Sequence, residues 1–95
     1  MVVGVMEMTF ILYETASLKD KRSVVKRLIH RITSKFNAAA AEVDDMDAHS
    51  HCVIGVTVVG NESKFIASML DNIENFAALL GLAELYSTEK SVETY

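Results

Sequence analysis

The residues best suited to chemistry lie together in one short polar segment. Residues 44–52 contain three aspartates together with His49, His51 and Cys52. Imidazole, thiolate and carboxylate groups are ligands of transition metals. Strand alternation would place Asp47 and both histidines on one side and turn Cys52 to the other, and no second cluster supplies further ligands. We therefore interpret the segment as a polar hairpin loop and predict no metal site in it.

No set of residues in the sequence has the pattern of a catalytic site. Cys52 is expected in the core, where a thiol is usually inert. Glu7 is a lone carboxylate among valines, without a second group for acid–base catalysis. The chain contains no phosphate-binding loop, nucleophile elbow or glycine-rich dinucleotide fingerprint. We therefore predict a non-enzymatic protein with no cofactor.

The strongest charge feature is a basic segment, residues 19–35. Its seven Lys and Arg residues against one Asp give it a net charge of +6, whereas the rest of the chain, with two lysines against twelve acids, carries −10. One interpretation is an ordinary solvated helix face, but such asymmetry can also steer a polyanion to one side of a protein. We predict that the segment binds structured RNA or a ribonucleoprotein. The residues expected to do so are Lys19, Lys26, Arg27 and Arg31, with His30 nearby.

Two amphipathic helices are predicted. The first covers 17–36 and begins at Ser17, an N-cap residue type. Its apolar stripe, opposite the five proposed RNA-binding residues, comprises Leu18, Val25, Ile29, Ile32 and Phe36, with Leu28 at the edge. The second covers 62–80, with Asn61 as its cap and Gly81 at its end. Its stripe comprises Phe65, Ile66, Met69, Ile73, Phe76 and Leu80.

Four strands are predicted, and with the helices they give the order βαββαβ. Alternation indicates strands at 2–13 and 51–59. The alanine-rich residues 39–43 favour helix by propensity, but a further turn would have little apolar surface to bury, so we predict a strand there. An edge strand is expected at 82–89, followed by a frayed end at 91–95. This order predicts a single α+β domain over 1–95, with both helices on one face of a four-stranded antiparallel sheet.

The uncovered face of that sheet supplies an alternative function. Its expected residues include Val3, Val5, Thr57 and Val59, which form a patch too apolar to remain in water. The alternative is therefore a homodimer or an adaptor that contacts a protein through this face. RNA-binding domains of this topology stack bases on aromatic residues, and these positions carry none.

Composition indicates the compartment. A single cysteine excludes an internal disulfide framework and fits a reducing compartment. No apolar run approaches the ~20 residues of a membrane span, and no basic leader precedes the first apolar residues. We expect a cytoplasmic protein without a membrane partner.

Several segments resemble a known family. MVVGVMEM, SLKDKRSVVKRL, FNAAAAEVDDMD and VIGVTVVGNE are similar to the YlxP-like bacterial proteins, a small domain family of unknown function. The resemblance implies a ferredoxin-like fold and favours the strand at 39–43. The family's usual gene neighbours, which encode transcription and translation factors, imply a role near RNA or the ribosome. Relatives often carry an aromatic and a basic residue where His49 and His51 stand, so a metal site at these histidines would not be family-wide.

Overall fold

The computed structural model describes residues 1–13 and 15–95, and its elements follow the predicted order. They are β1 (Val2–Ile11), α1 (Leu18–Lys35), β2 (Ala39–Asp44), β3 (His51–Gly60), α2 (Ser63–Leu79) and β4 (Glu84–Thr94). The strands form one sheet in the order β2-β3-β1-β4, and every neighbouring pair is antiparallel. The chain has the ferredoxin-like α+β fold that the sequence predicts, with β1 and β3 at the centre.

The core lies between one face of the sheet and the two helices. In β1, Met6, Met8 and Phe10 are completely buried, while Glu7 between them is exposed. The other core residues are Val2 of β1, Leu12 directly after it, Cys52, Ile54, Val56 and Val58 of β3, Val25, Leu28 and Ile32 of α1, and Ile66, Leu70, Ile73 and Ala77 of α2. Each large aliphatic side chain buried in this way contributes about 1.5–3 kcal/mol to folding. Neither α1 nor α2, the helices of the described residues, covers the other face of the sheet.

Helix α1 begins where local chemistry predicts, whereas its end is decided by pairing in the sheet. Ser17 is the N-cap, and its Oγ accepts a hydrogen bond from the Asp20 N–H at 3.2 Å. The Asp20 carboxylate accepts one from the Ala16 N–H at 3.1 Å. Phe36 is extended, and the alanines that follow pair with β3, so that Ala39 lies opposite Thr57. Pairing in the sheet overrides the helical propensity of alanine.

The buried side of α1 differs from the predicted stripe. Val25, Leu28 and Ile32 are buried as expected, but the fourth buried residue of the helix is Lys21. Leu18, Ile29 and Phe36, predicted to lie in the stripe, are only half-buried. The buried face is therefore centred closer to Leu28 than predicted. Lys21 can lie on this face because its ammonium group forms an ion pair with Glu42.

Helix α2 also requires two corrections. Its N-cap is Glu62, which makes no side-chain capping hydrogen bond, so the prediction of Asn61 as the cap is wrong. Phe65 is 64% exposed, whereas Leu70, omitted from the predicted stripe, is buried. Leu70 is spaced four residues after Ile66 and three before Ile73, which is the helical period of the buried face. Gly81 has φ of 72°, as expected for the residue that ends a helix.

Strand β4 is longer than predicted and starts later. It pairs with β1 from Ile11 opposite Glu84 to Val2 opposite Thr94, with an irregularity at Thr9 and Phe10. The expectation that residues 91–95 are frayed is therefore wrong. Beyond the strand, the Tyr95 N–H donates to the Met1 carbonyl at 2.7 Å, and the Met1 ammonium donates to the Tyr95 carbonyl at 2.9 Å. The cause is the ten-residue length of β1, which offers a partner for the whole of β4.

Candidate anion-binding surface on helix α1

Four of the five residues predicted to bind RNA line one depression on α1. We call Lys26, Arg27, His30 and Arg31 the basic surface. Together with Leu82, which precedes β4, they enclose a depression of about 280 Å³. Lys26 and His30 are one helical turn apart, as are Arg27 and Arg31, so each pair shares a side of the helix. All four side chains are exposed, and Leu82 is half-buried.

The basic surface has no acidic partner within residues 1–13 and 15–95. The salt bridges of that part of the chain are made by Lys21, His51 and Lys90. Arg27 and Arg31 instead face each other as like charges one turn apart, an arrangement that destabilises a helix by about 0.2–0.5 kcal/mol. An anion bound between them would remove this repulsion.

Lys19 is the fifth predicted residue, and it lies apart from the depression. It is exposed in the first turn of α1, seven residues before Lys26. Seven residues correspond to about 10 Å along the helix axis. Lys19 could contact a second phosphate of an extended polyanion, but it does not help to form the depression.

Two other lysines of the helix have structural contacts. Lys21 is 1% exposed, its Nζ lies 2.9 Å from Glu42 Oε2, and it donates to the Asp45 carbonyl at 2.5 Å. Lys35 Nζ lies 5.4 Å from the centre of the Phe76 ring, a cation–π contact. Lys21 thus ties α1 to the loop between β2 and β3, which fixes the orientation of the helix that carries the basic surface.

The loop residue Asp45 is the centre of this connection. Its φ of 57° lies in the left-handed region, and its N–H donates to Asp44 Oδ1 at 2.8 Å. Its carboxylate lies 3.2 Å from His51 Nε2. This local geometry leaves the Asp45 carbonyl to accept from Lys21. Sequence reasoning missed the connection, although Lys21 precedes Val25 by four residues and so shares its buried face.

Cys52 is buried as strand alternation predicts, whereas His51 begins β3 and His49 lies in the loop before it. Cys52 is completely buried, and burial, followed by the nearby Glu42 carboxylate, raises the pKa of its thiol to about 11. His51 is partly exposed beside Asp45, and the carbonyl of His49 accepts from Thr15 Oγ1 at 2.7 Å. In the described part of the chain, no three His, Cys, Asp or Glu residues are arranged to hold a metal ion.

The residues predicted for a protein interface come together on the sheet face opposite the helices, which we call the open face. Val3 lies directly opposite Val59, and Val5 lies opposite Thr57. Val59 is 62% exposed and Val5 is 43% exposed. These side chains form one continuous patch across β1 and β3.

Strand β2 extends this patch, which sequence reasoning did not anticipate. Ala39, Ala41 and Val43 join Val5 and Thr57 around an apolar groove of about 380 Å³. The groove is shallow at Gly55 because Val43 covers that position. A Cβ atom on Gly55 would lie 2.7 Å from Val43 Cγ1.

The described helices include none with the length and apolar character required to cross a bilayer.

Comparison with known proteins identifies the family. A family model described as "Protein of unknown function (DUF503)" matches residues 3–90. The uncharacterized protein YlxP of Bacillus subtilis (strain 168) is 34% identical over 59 residues, which are 62% of this chain and 64% of that protein. The match thus spans less than two thirds of the relative. A de novo designed protein with a ferredoxin fold, solved in solution by NMR, is 16% identical and has a TM-score of 0.54, covering all of this chain and 87% of the design. The similarity to the design supports the fold alone. The chain belongs to the DUF503 family, a YlxP-like family of unknown function.

Proposed function

We propose that this protein is a non-enzymatic module that binds structured RNA or a ribonucleoprotein through the basic surface of α1. The observation that carries the proposal is the convergence of Lys26, Arg27, His30 and Arg31 on one depression without an acidic partner among the described residues. Seven of the nine Lys and Arg residues lie in this helix, in a chain with a net charge of −4. The charge is therefore concentrated where a polyanion would bind.

The side chains of the basic surface suit phosphate groups. An arginine can hold a phosphate through two parallel hydrogen bonds, and a lysine adds a mobile point charge. Arg27 and Arg31 present two such forks along one side of the helix. Lys19, about 10 Å along the helix from Lys26, would reach a more distant phosphate of the same strand.

Structured RNA fits these contacts better than unpaired bases. Proteins recognise double-stranded RNA mainly by its shape and by its phosphates and 2′-hydroxyls, whereas single strands are held by stacking on aromatic side chains. Among the described residues, the depression on α1 is lined by no Phe, Tyr or Trp, and the imidazole of His30 is its one aromatic ring. The proposed contact therefore depends on phosphate positions rather than on base sequence.

The test is charge reversal on the basic surface. Lys26→Glu, Arg27→Glu and Arg31→Glu together should abolish binding of a labelled hairpin RNA in a fluorescence anisotropy titration. If the wild type engages about four phosphates, the logarithm of its affinity should fall with the logarithm of salt concentration with a slope of about −3 to −4.

The matched control reverses three basic residues that do not line the depression, Arg22, Lys35 and Lys64. This variant has the same net charge as the first, so non-specific attraction should weaken equally in both. Equal loss of affinity in the two variants would show that only total charge matters. An unchanged affinity in the first variant, with its circular dichroism intact, would exclude the proposed site.

A second candidate function, an adaptor that contacts a protein through the open face, is favoured by the exposure of Val5 and Val59 beside the apolar groove. Monomeric soluble proteins rarely leave such contiguous apolar surface uncovered. Val5→Lys with Val59→Lys should then abolish capture of the partner without changing RNA binding.

A further inference from the structure

All charged side chains on the open face, apart from His51, are acidic. Residues directly opposite in an antiparallel sheet share a face. The register therefore adds the following residues to the side that holds Val3 and Val5: Glu7 of β1, Asp44 of β2, and Glu84, Glu89 and Glu93 of β4. Among the described residues, no lysine or arginine has a register position on this face. Lys90, the only lysine or arginine in the four strands, lies opposite the core residue Met6 and binds α2 through Asp71 at 2.7 Å and Glu74 at 2.6 Å.

Glu7 is the centre of this acidic region. It lines the apolar groove, and it also lines two adjoining depressions, one with Glu89, Ser91 and Lys90 and one with Asp44 and Ser87. The ammonium group of Lys90 is bound to α2. Its direct cross-strand neighbour is Glu89. Like charges in this position are destabilising, so the free protein maintains an unfavourable pair next to an exposed apolar groove.

A second copy of this chain is a poor occupant of the face. In a twofold dimer the same patch meets itself, so Glu7 of the central strand β1 and Glu89 of the edge strand β4 would meet acids and valines but no lysine or arginine. Burying carboxylates without a positive partner is costly. A nucleic acid would be repelled by the same charges. The described acids do not converge as a metal site either.

We propose that the open face binds a basic segment of another protein, one that presents Lys or Arg side chains beside small apolar side chains. The apolar side chains enter the groove formed by Val5, Ala39, Ala41 and Val43. The cations lie against Glu7 and Glu89, which removes the repulsion between them. This inference does not depend on RNA binding, because α1 covers the opposite side of the sheet.

The direct test uses synthetic peptides as probes. The first contains Lys and Val, the second replaces each Lys by Glu, and the third replaces each Val by Ser. In a titration of isotope-labelled protein followed by NMR, the first should shift the amide signals of Val5, Gly55 and Thr57 and bind more tightly than the other two. Equal affinity of the first and second peptides, or shifts confined to the helices, would overturn the proposal.

Charge-neutralising variants test whether Glu7 and Glu89 are the residues that bind the cations of the peptide. Glu7→Gln with Glu89→Gln should weaken the first peptide about tenfold, the factor that corresponds to the loss of two modest charge contacts. The matched control, Asp47→Asn with Glu62→Gln, removes the same net charge at exposed positions off the open face and should leave the affinity unchanged. Equal weakening in both would overturn the assignment.

Two further measurements guard against a misfolded variant and a wrong occupant. Glu7→Lys with Glu89→Lys should transfer the preference from the Lys–Val peptide to its Glu–Val counterpart, a gain that a damaged fold cannot produce. Sedimentation velocity of the wild type should show a monomer. A dimer that dissociates in the Val5→Lys variant would replace the proposed partner with a second copy of the chain.

Discussion

At the scale of single residues, the ion pair of Lys21 and Glu42 has the largest effect on how the candidate site is built. Lys21 is buried, and its Nζ lies 2.9 Å from Glu42 Oε2, an oxygen that is itself shielded from solvent. Their contact joins α1 to β2.

The first prediction concerns this pair. Lys21→Ala should destabilise the protein by about 3–5 kcal/mol, because it leaves Glu42 as an uncompensated charge at the edge of the core. Lys21→Met with Glu42→Leu should cost far less, since apolar residues of similar size often replace a buried pair without loss. Urea denaturation checks both values. Similar losses in the two variants would show that the lost contacts of the ammonium group with Glu42 and Asp45 set the cost, and not an unpaired carboxylate.

The second prediction concerns the buried thiol of Cys52. Its pKa is raised from 9.0 to about 11, so the folded state favours the protonated form. Its stabilising effect is fully present below pH 9 and is lost between about pH 9 and 11, where only the unfolded state ionises. Over this range, wild type should lose about 2–3 kcal/mol more stability than Cys52→Ala. Parallel stability curves for the two proteins would contradict the assignment.

At the scale of elements, the sequence predicted the type of each helix and strand better than its boundaries or its partners. The buried period of α2 follows from Ile66, Leu70, Ile73 and Ala77, which are spaced by four, three and four residues. The position of Lys21 on the buried side of α1 follows from spacing as well, but a lysine is ordinarily assigned to water. Burial of Lys21 requires a negatively charged partner, and that partner, Glu42 in β2, is distant in the chain.

The third prediction concerns the approach of α2 to the sheet at Gly4. A Cβ atom there would lie 2.7 Å from Ile66 Cγ2 and 3.1 Å from Leu70 Cδ1. Gly4→Ala should therefore destabilise the protein by about 1–3 kcal/mol through overpacking. Ile66→Ala should cost less in the Gly4→Ala background than in the wild type, because it removes the clashing atom. A double-mutant cycle measured by urea denaturation tests this, and strict additivity of the two effects would refute it.

At the scale of the whole molecule, charge is separated across the sheet. The basic surface lies in the helical layer, and the open face on the other side carries acids beside valines. The proposed functions use these two sides independently, so one protein could hold an RNA and a basic protein segment at once. Charge reversal on either side should leave binding on the other unchanged.

The fourth prediction concerns β4, which completes the open face. Deleting residues 91–95 removes the pairs that Ser91, Val92, Glu93 and Thr94 make with β1. It also exposes the core around Val92, which packs against it. The melting temperature should fall by several degrees, since about 1 kcal/mol corresponds to about 4–8 °C in a domain of this size. A truncated protein with the wild-type melting temperature would contradict this stabilising role of the last residues of β4.

The sequence alone determined the order βαββαβ, the buried residues of β1 and β3, and the concentration of cations on α1. These properties depend on short segments of the sequence, because the spacing of apolar residues along one segment decides its period and its buried side. Tertiary structure alone decided that Glu42 neutralises Lys21, that β4 pairs with β1 along its full length, and that the open face bears acids without lysine or arginine. Each of these depends on which residues, distant in the chain, become neighbours in the fold. The pattern within one segment does not specify how that segment aligns with its neighbour in the sheet.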